Sequence, residues 1–357
     1  MFLRVRSLFF LTAVFTMVWF VGFTDAQQTL PNPPAKPASP AATPPAKEED
    51  EVIKVDTDVV NVLFTAQDRN RRLLSTLKQD DVKIFEDGKA QEITAFSRQV
   101  DLPLSLSILI DVSLSQQRTL PEEKEAAISF LETVVRPAKD EVSVISFTGE
   151  STLEQGMTNN VVRLRRAIQN VRVVPPAGYI GGGVGGGGGT PPINGDSTQG
   201  STAIWDAIWV TSDEVLGPAP EKTRRAIILL TDGINTSGKK KLDEAVQAAL
   251  KSEAIVYSIG IGDNFINGVD KGVLNKISER TGGRAYFPRD ERELRDAFAQ
   301  IQEEMRSQYL LAYEPNNQAR DGSYRRIEIQ LVNSQLEKEK VKVTHRQGYF
   351  AKFTPRK

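Results

Sequence analysis

Two apolar runs in the middle of the chain end in the same way. Residues 104 to 110 are apolar or small and stop at Asp111, and residues 226 to 230 stop at Thr231-Asp232-Gly233. Near-continuous runs of this kind, bounded by polar residues, mark strands buried on both faces of a parallel sheet. Around them the pattern switches to a helical period. Ala127, Phe130, Leu131 and Val134 share one face after Thr119-Leu120-Pro121-Glu122, which has the form of a capping box, and Leu294, Phe298, Ile301 and Met305 stripe a last helix. Strands at 142–147 and 255–261, short edges at 152–154 and 285–287, and helices at 161–171, 242–251 and 273–280 continue the alternation. The expected fold class is therefore α/β, a doubly wound and mostly parallel sheet with helices on both faces.

On either side of this region the period drops to two. Val60, Val62, Phe64 and Ala66 alternate with Asn61, Leu63 and Thr65; Val82 and Ile84 lead to Glu86-Asp87-Gly88-Lys89; Ile93 and Ala95 follow. Asp-Gly between alternating runs predicts a hairpin. Near the other end, Ile327, Ile329 and Leu331 alternate with Arg326, Glu328 and Gln330, and Val341 and Val343 with Lys342 and Thr344. A few strands alone are marginal in water. The flanks, 52–100 and 308–357, are thus expected to pair into one small β-sandwich-like element that receives the α/β domain, 101–307, as an insertion. Residues 175–200 are rich in Gly and Pro and read as a flexible insertion; they hold no Lys, which excludes a phosphate-cradling P-loop.

The beginning of the chain supplies an address. Arg4 and Arg6 precede an apolar run from Leu8 to Phe23 that ends in Thr24-Asp25-Ala26, the form of a signal peptide over 1–26, and a Pro/Ala-rich linker follows over 27–51. The expected location is periplasmic or secreted. The alternative is an uncleaved membrane anchor, although the run falls short of the roughly 20 residues that span a bilayer. A net charge of −1 gives no reason to expect nucleic acid as a partner, and membrane contact is expected only if the first segment stays uncleaved. The chain has no Cys and one His, at position 345. That removes a Cys nucleophile and the usual Cys/His zinc site, and leaves a Ser-His-Asp arrangement without support. His345 reads as a surface residue.

What remains is oxygen chemistry. Asp111-Val112-Ser113-Leu114-Ser115 closes the first run, Gly200-Ser201-Thr202 opens a predicted helix, and Asp232-Gly233 closes the second run. Carboxylates and hydroxyls suit a hard divalent cation. In open α/β sheets, ligands lie beyond the carboxyl ends of strands where the strand order reverses, so the three pieces can share one crevice. Taken singly, each also has an ordinary explanation as a helix cap or turn.

Together, Asp111-x-Ser113-x-Ser115, Thr202 and Asp232-Gly233 resemble the metal-ion-dependent adhesion site of von Willebrand factor type A domains. The stretches Leu77-x-x-Asp80-Asp81-Val82-x-Ile84-Phe85-Glu86-Asp87-Gly88-Lys89, Gln308-Tyr309-Leu310-Leu311-Ala312-Tyr313 and Arg346-Gln347-Gly348-Tyr349-Phe350 look like the flanks of a bacterial exported "VWFA-related" family. The resemblance implies that Ser113, Ser115 and Thr202 position an ion which Asp111 and Asp232 neutralise directly or through water. It implies an open coordination position that a protein or peptide partner fills with a carboxylate. Mg2+ is the expected ion, with Mn2+ and Ca2+ as alternatives. Relatives carry a plain Gly-Gly-Thr where this chain has Gly200-Ser201-Thr202 after a long insert. Asn235 and Thr236 are candidates for partner contact or for helix entry, and Lys239, Lys240 and Lys241 for charge at the rim or a solvated face.

Two functions follow. The first is an exported adhesion or scaffold module, not an enzyme, that binds a protein ligand through the cation. The alternative is a metal-dependent, phosphatase-like hydrolase with Asp111 as nucleophile. Such an enzyme is expected to carry a second carboxylate two residues on as acid/base, and that place is Ser113.

Overall fold

The structure, a computed structural model, describes residues 58–99, 102–174, 201–220, 223–262 and 268–354. The expected signal peptide, linker and Gly-rich insertion lie outside the described residues, all of which fall in one unit, Val55–Lys357. Among them no helix is long and apolar enough to cross a membrane.

The amino-terminal flank forms β1 (Val60–Gln67), β2 (Val82–Glu86), β3 (Lys89–Gln91) and β4 (Ile93–Gln99). Asp87 and Gly88 are the two turn residues between β2 and β3, with φ of 49° and 78°. Both centres of a type I′ turn need positive φ, which is why Asp-Gly serves here.

The middle of the chain supplies β5 (Leu104–Asp111), α1 (Leu120–Val134), β6 (Glu141–Phe147), β7 (Ser151–Thr158), α2 (Val161–Asn170), α3 (Ile204–Val210), β8 (Arg224–Thr231), α4 (Leu242–Lys251), β9 (Ala254–Gly260), α5 (Lys271–Thr281), β10 (Ala285–Tyr286) and α6 (Glu291–Arg306). Its sheet has the order β10-β9-β8-β5-β6-β7, parallel throughout except for β7. The chain leaves β5 toward β6 and β7, then returns to β8 on the other side of β5. Strand order therefore reverses between β5 and β8, and the crevice lies at their carboxyl ends.

Every residue of β5 and of β8 is buried. Leu104, Leu106, Ile108 and Ile110 point into a core with α1, α2 and α6, whereas Leu109, Ile227 and Leu229 point into a second core with α3, α4 and α5. The polar residues of β5 are paired sideways: Ser107 Oγ lies 2.8 Å from Ser143 Oγ, and Ser105 Oγ donates to Glu141 Oε1 at 2.8 Å.

After α6 the chain forms β11 (Gln308–Tyr313), β12 (Tyr324–Leu331), α7 (Ser334–Lys338), β13 (Lys342–His345) and β14 (Gly348–Phe350). One four-stranded sheet has the order β13-β1-β11-β4 and a second has β14-β12-β2-β3, so strands from both flanks interleave in each. Val62, Phe64, Ile84, Tyr309, Leu311 and Ile327 fill the space between them. Three of the flanking motifs meet at one carboxylate: Tyr313 and Tyr349 hydroxyls each donate to Glu86 Oε2 at 2.8 Å, and Arg325 approaches Glu86 Oε1. His345, expected at the surface, is half-buried. Its Nε2 accepts from the Ile329 amide at 3.3 Å and its Nδ1 lies 2.7 Å from Arg346 O, an arrangement that fixes a neutral imidazole whose pKa burial lowers.

The two parts touch at buried polar contacts. Glu304 near the end of α6 accepts from Gln67 of β1 at 2.9 Å and from the Tyr286 hydroxyl at 3.0 Å. Gly282 ends α5 in the left-handed region at φ 91°, where a Cβ would stand 2.6 Å from the Arg346 amide nitrogen. Both α/β cores draw their buried residues from 104–305 alone, and the sandwich core from 60–84 and 309–329. Residues 101–307 expressed alone are accordingly expected to be soluble and to melt in one cooperative step. A fragment that aggregates would show instead that the flanks complete its core.

Candidate metal centre

β5 delivers Asp111 to the crevice, fully buried, and the chain then turns through Ser113 and Ser115 in a single 3-10 turn, Leu114–Gln116, before α1. β8 delivers Thr231 and, one residue later, Asp232, which is 5 % exposed. Because β5 and β8 pair in parallel with Ile110 opposite Leu230, Asp111 arrives level with Thr231, and Asp232 follows one residue further on.

Hydroxyls and amides join them. The Ser113 amide donates to Asp111 Oδ1 at 2.9 Å, and the Thr231 hydroxyl donates to Asp111 Oδ2 at 2.6 Å. Ser113 Oγ lies 3.0 Å from Ser115 Oγ, whose hydroxyl donates to Asp232 Oδ2 at 2.8 Å. Asp232 Oδ1 accepts from the Ile234 amide at 2.9 Å. Asp111, Ser113, Ser115 and Asp232 therefore form one connected set.

Thr202 reaches this set through the backbone of the loop that follows Asp232. Its amide donates to Thr236 Oγ1 at 2.7 Å, and its carbonyl accepts from the Thr236 and Ser237 amides at 2.9 and 3.1 Å. No hydrogen bond from the Thr202 side chain to the other four is seen among the described residues. Thr202 does not cap the following helix: Ala203 occupies that position, and Asn235 Oδ1 takes the Ile204 amide at 2.8 Å. Asn235 and Thr236 are thus spent on holding the 201–205 segment. The amides of Lys239 and Lys240 donate to Asp206, and Lys240 Nζ sits 4.1 Å from the Trp209 ring centroid.

A third carboxyl group was not among the sequence candidates. Glu123 lies on the buried stripe of α1 with Leu120, Ala127, Phe130 and Val134; it is 1 % exposed, and neither of its carboxylate oxygens meets a hydrogen-bond partner. Its spacing from Leu120 and Ala127 was the available signal. The capping box expected beside it does not form, because the Thr119 hydroxyl is turned back to the Gln116 carbonyl and side chain.

Electrostatics follow from burial. Desolvation pushes Asp111 up to about 6, opposed by the hydrogen bonds from Ser113 and Thr231 and assisted by the charge of Asp232. Desolvation raises Glu123 to about 8, with Asp111 and Asp232 adding to it. Among the described residues neither Asp111 nor Asp232 forms an ion pair with Lys, Arg or His. Nor is there a group of three or more His, Asp or Glu side chains placed to hold a metal. The donor set is two carboxylates supplemented by hydroxyls, the chemistry of a hard, oxygen-seeking dication, and the residues fit such an ion.

Two sequence-family models of the von Willebrand factor type A domain match the chain, one over residues 106–235 and one over 193–300. Residues 106–300 of the chain form a von Willebrand factor type A domain. No curated protein sequence matches it. Among solved structures it is similar to proximal thread matrix protein 1 from the mussel byssus, with 17% identity, TM-score 0.43, and 58% of this chain and 49% of that chain covered. A further structure of that mussel protein, described as having a zinc-occupied MIDAS motif, matches at 18% identity and TM-score 0.43 over the same shares. BatB from Bacteroides thetaiotaomicron matches at 20% identity and TM-score 0.43, with 57% of this chain and 100% of that chain covered. The chain thus spans about half the length of the mussel protein.

The buried carboxyls give a pH signature. A carboxyl whose pKa is higher folded than unfolded lends stability at low pH that is lost as pH rises through the folded value. For Asp111 that window runs from 3.8 to about 6, and for Glu123 from 4.5 to about 8. In EDTA, urea unfolding should therefore report falling stability across these windows, and Glu123→Gln should flatten the decline above pH 6. Stability that climbs over the same interval would contradict the burial of both groups without a compensating charge.

Proposed function

We propose that this chain is an exported, non-enzymatic binding protein that takes a protein or peptide ligand through a divalent cation. The observation that carries the reading is the pair of buried carboxylates, Asp111 and Asp232, linked through Ser113 and Ser115 and meeting no cationic partner among the described residues. Burial of a carboxylate without compensating charge is costly, and a dication at this position offsets that cost for both groups.

Each residue has a defined part. Asp111 and Asp232 supply the negative charge. Ser113 and Ser115 offer hydroxyl oxygens on the face between them, and Thr202 offers a third from the opposite loop, fixed there by Thr236. Thr231 holds Asp111 in place, and Asn235 anchors the start of α3. A bound dication supplies an open coordination position for a carboxylate of the ligand; Mg2+ is the proposed ion, with Mn2+ and Ca2+ as alternatives. Export rests on residues 1–26. A non-enzymatic role rests on Ser113, which stands where a phosphatase of this kind needs an acid/base and is engaged with Ser115.

Thermal melting of protein without residues 1–50, with each of Mg2+, Mn2+ and Ca2+, tests the site. An ion at a hundredfold excess over its Kd stabilises by about 2.7 kcal/mol. A rise in melting temperature is expected in the native protein and none in Asp111→Ala or Asp232→Ala. Equal shifts in all three would place the ion elsewhere, and Mg2+-dependent phosphatase activity abolished by Asp111→Asn would overturn the non-enzymatic reading.

A further inference from the structure

The opposite end of the central sheet holds a second feature, independent of the carboxylates. A cavity of about 310 Å³ lies between the sandwich and the amino-terminal ends of β8 and β9. Its apolar wall includes Leu63 of β1, Leu250 of α4 and Leu310 of β11. Arg224 and Arg225, the first residues of β8, line it together with Arg346 from the connection between β13 and β14, and these arginines are 6 %, 8 % and 9 % exposed. That volume lies at the lower end of the range for small-molecule sites.

The charges around this cavity do not balance. Arg224 donates to the carbonyls of Met305 and Leu102, Arg225 to those of Ala219 and Pro220, and Arg346 to that of Asn61. Carbonyl oxygens satisfy N–H groups but carry no net charge. Glu253, with a half-exposed side chain, is the acid in the lining; it lies 3.2 Å from Arg346 Nη1 and 3.9 Å from Arg225 Nη1. Asp140, which also acts on Arg224, is taken up by Arg136 at 2.8 Å. The Nε atoms of Arg224, Arg225 and Arg346 are all buried without a hydrogen-bond partner. Arg225 and Arg346 thus share one half-exposed carboxylate, and among the described residues Arg224 donates to carbonyls alone, beside an apolar wall. Buried groups of this kind call for a compensating anion.

We propose that this cavity binds a small amphipathic anion, a carboxylate on a short aliphatic chain. Its head group pairs with the arginines, for which planar bidentate recognition of carboxylate is favoured, and its tail covers the leucines. Glu253 competes with the ligand for Arg225 and Arg346.

Calorimetric titration of the full chain with sodium octanoate, below its micelle threshold, tests this, with octylamine as the cation of equal length. Saturable one-to-one binding of octanoate and none of octylamine are expected. Arg225→Gln should weaken binding about tenfold, the scale of one charge-assisted hydrogen bond. Leu63→Trp, which fills the cavity and leaves the charges in place, should abolish it. Glu253→Gln should tighten it about threefold by removing the competing carboxylate. This last variant, at a half-exposed side chain, decides the matter if Arg225→Gln fails to fold. Absence of saturable binding, equal binding of octylamine, or Glu253→Gln leaving the affinity unchanged or weaker would each overturn the proposal.

Discussion

Two carboxylates buried at neighbouring strand ends, held by hydroxyls and amides and meeting no cationic side chain among the described residues, are the constraint around which this protein is arranged. The parallel pairing of β5 with β8 brings Asp111 and Thr231 to one level, and Asp232 follows directly. Both strands are buried along their whole length, so their ends cannot shift to let water reach Asp111 without disturbing two cores at once. The cost appears in Asp111 and Glu123, whose carboxyl groups burial raises to about 6 and about 8. A site that stores unfavourable charge in this way is primed for a dication.

The loops around the crevice hold one another. Thr202 is far from Asp232 in sequence, yet the loop that follows Asp232 receives its amide and supplies two amides to its carbonyl, while Asn235 takes the first amide of α3. Gln116, after the serines, donates to the Ile261 carbonyl at the end of β9. Loop-borne ligands positioned by a rigid sheet are the usual division of labour in α/β proteins. The sandwich enters through α6: this helix runs into β11 with only Ser307 between them, and Glu304 ties it to Gln67 of β1.

Legibility in the sequence tracked how local each signal was. Asp111 and Asp232 stood out because an apolar run ends at each, a contrast visible within ten residues, and Asp87-Gly88 announced a turn that only positive φ permits. Glu123 was obscured because the Thr119 to Glu122 stretch has the form of a capping box; the box failed once the 3-10 turn before it claimed the Thr119 hydroxyl. Asn235 and Thr236 read equally well as rim or entry residues, since their partners at Thr202 and Ile204 lie some thirty residues away. The half-buried His345 read as a surface residue for a similar reason: the Ile329 amide of β12 that meets its ring is a neighbour that strand periodicity alone does not name. The charge imbalance at the far end of the sheet is likewise a tertiary property, assembled from β1, β8 and the β13–β14 connection.

The most direct measurement is anomalous diffraction from crystals grown with Mn2+, an ion that occupies oxygen sites of this kind and can be located by its own scattering. The account predicts an anomalous peak in the crevice among Asp111, Ser113, Ser115 and Asp232. A well-ordered crevice without such a peak, with Mn2+ bound elsewhere or not at all, would contradict it and leave these side chains as a hydrogen-bonded terminus of two strands.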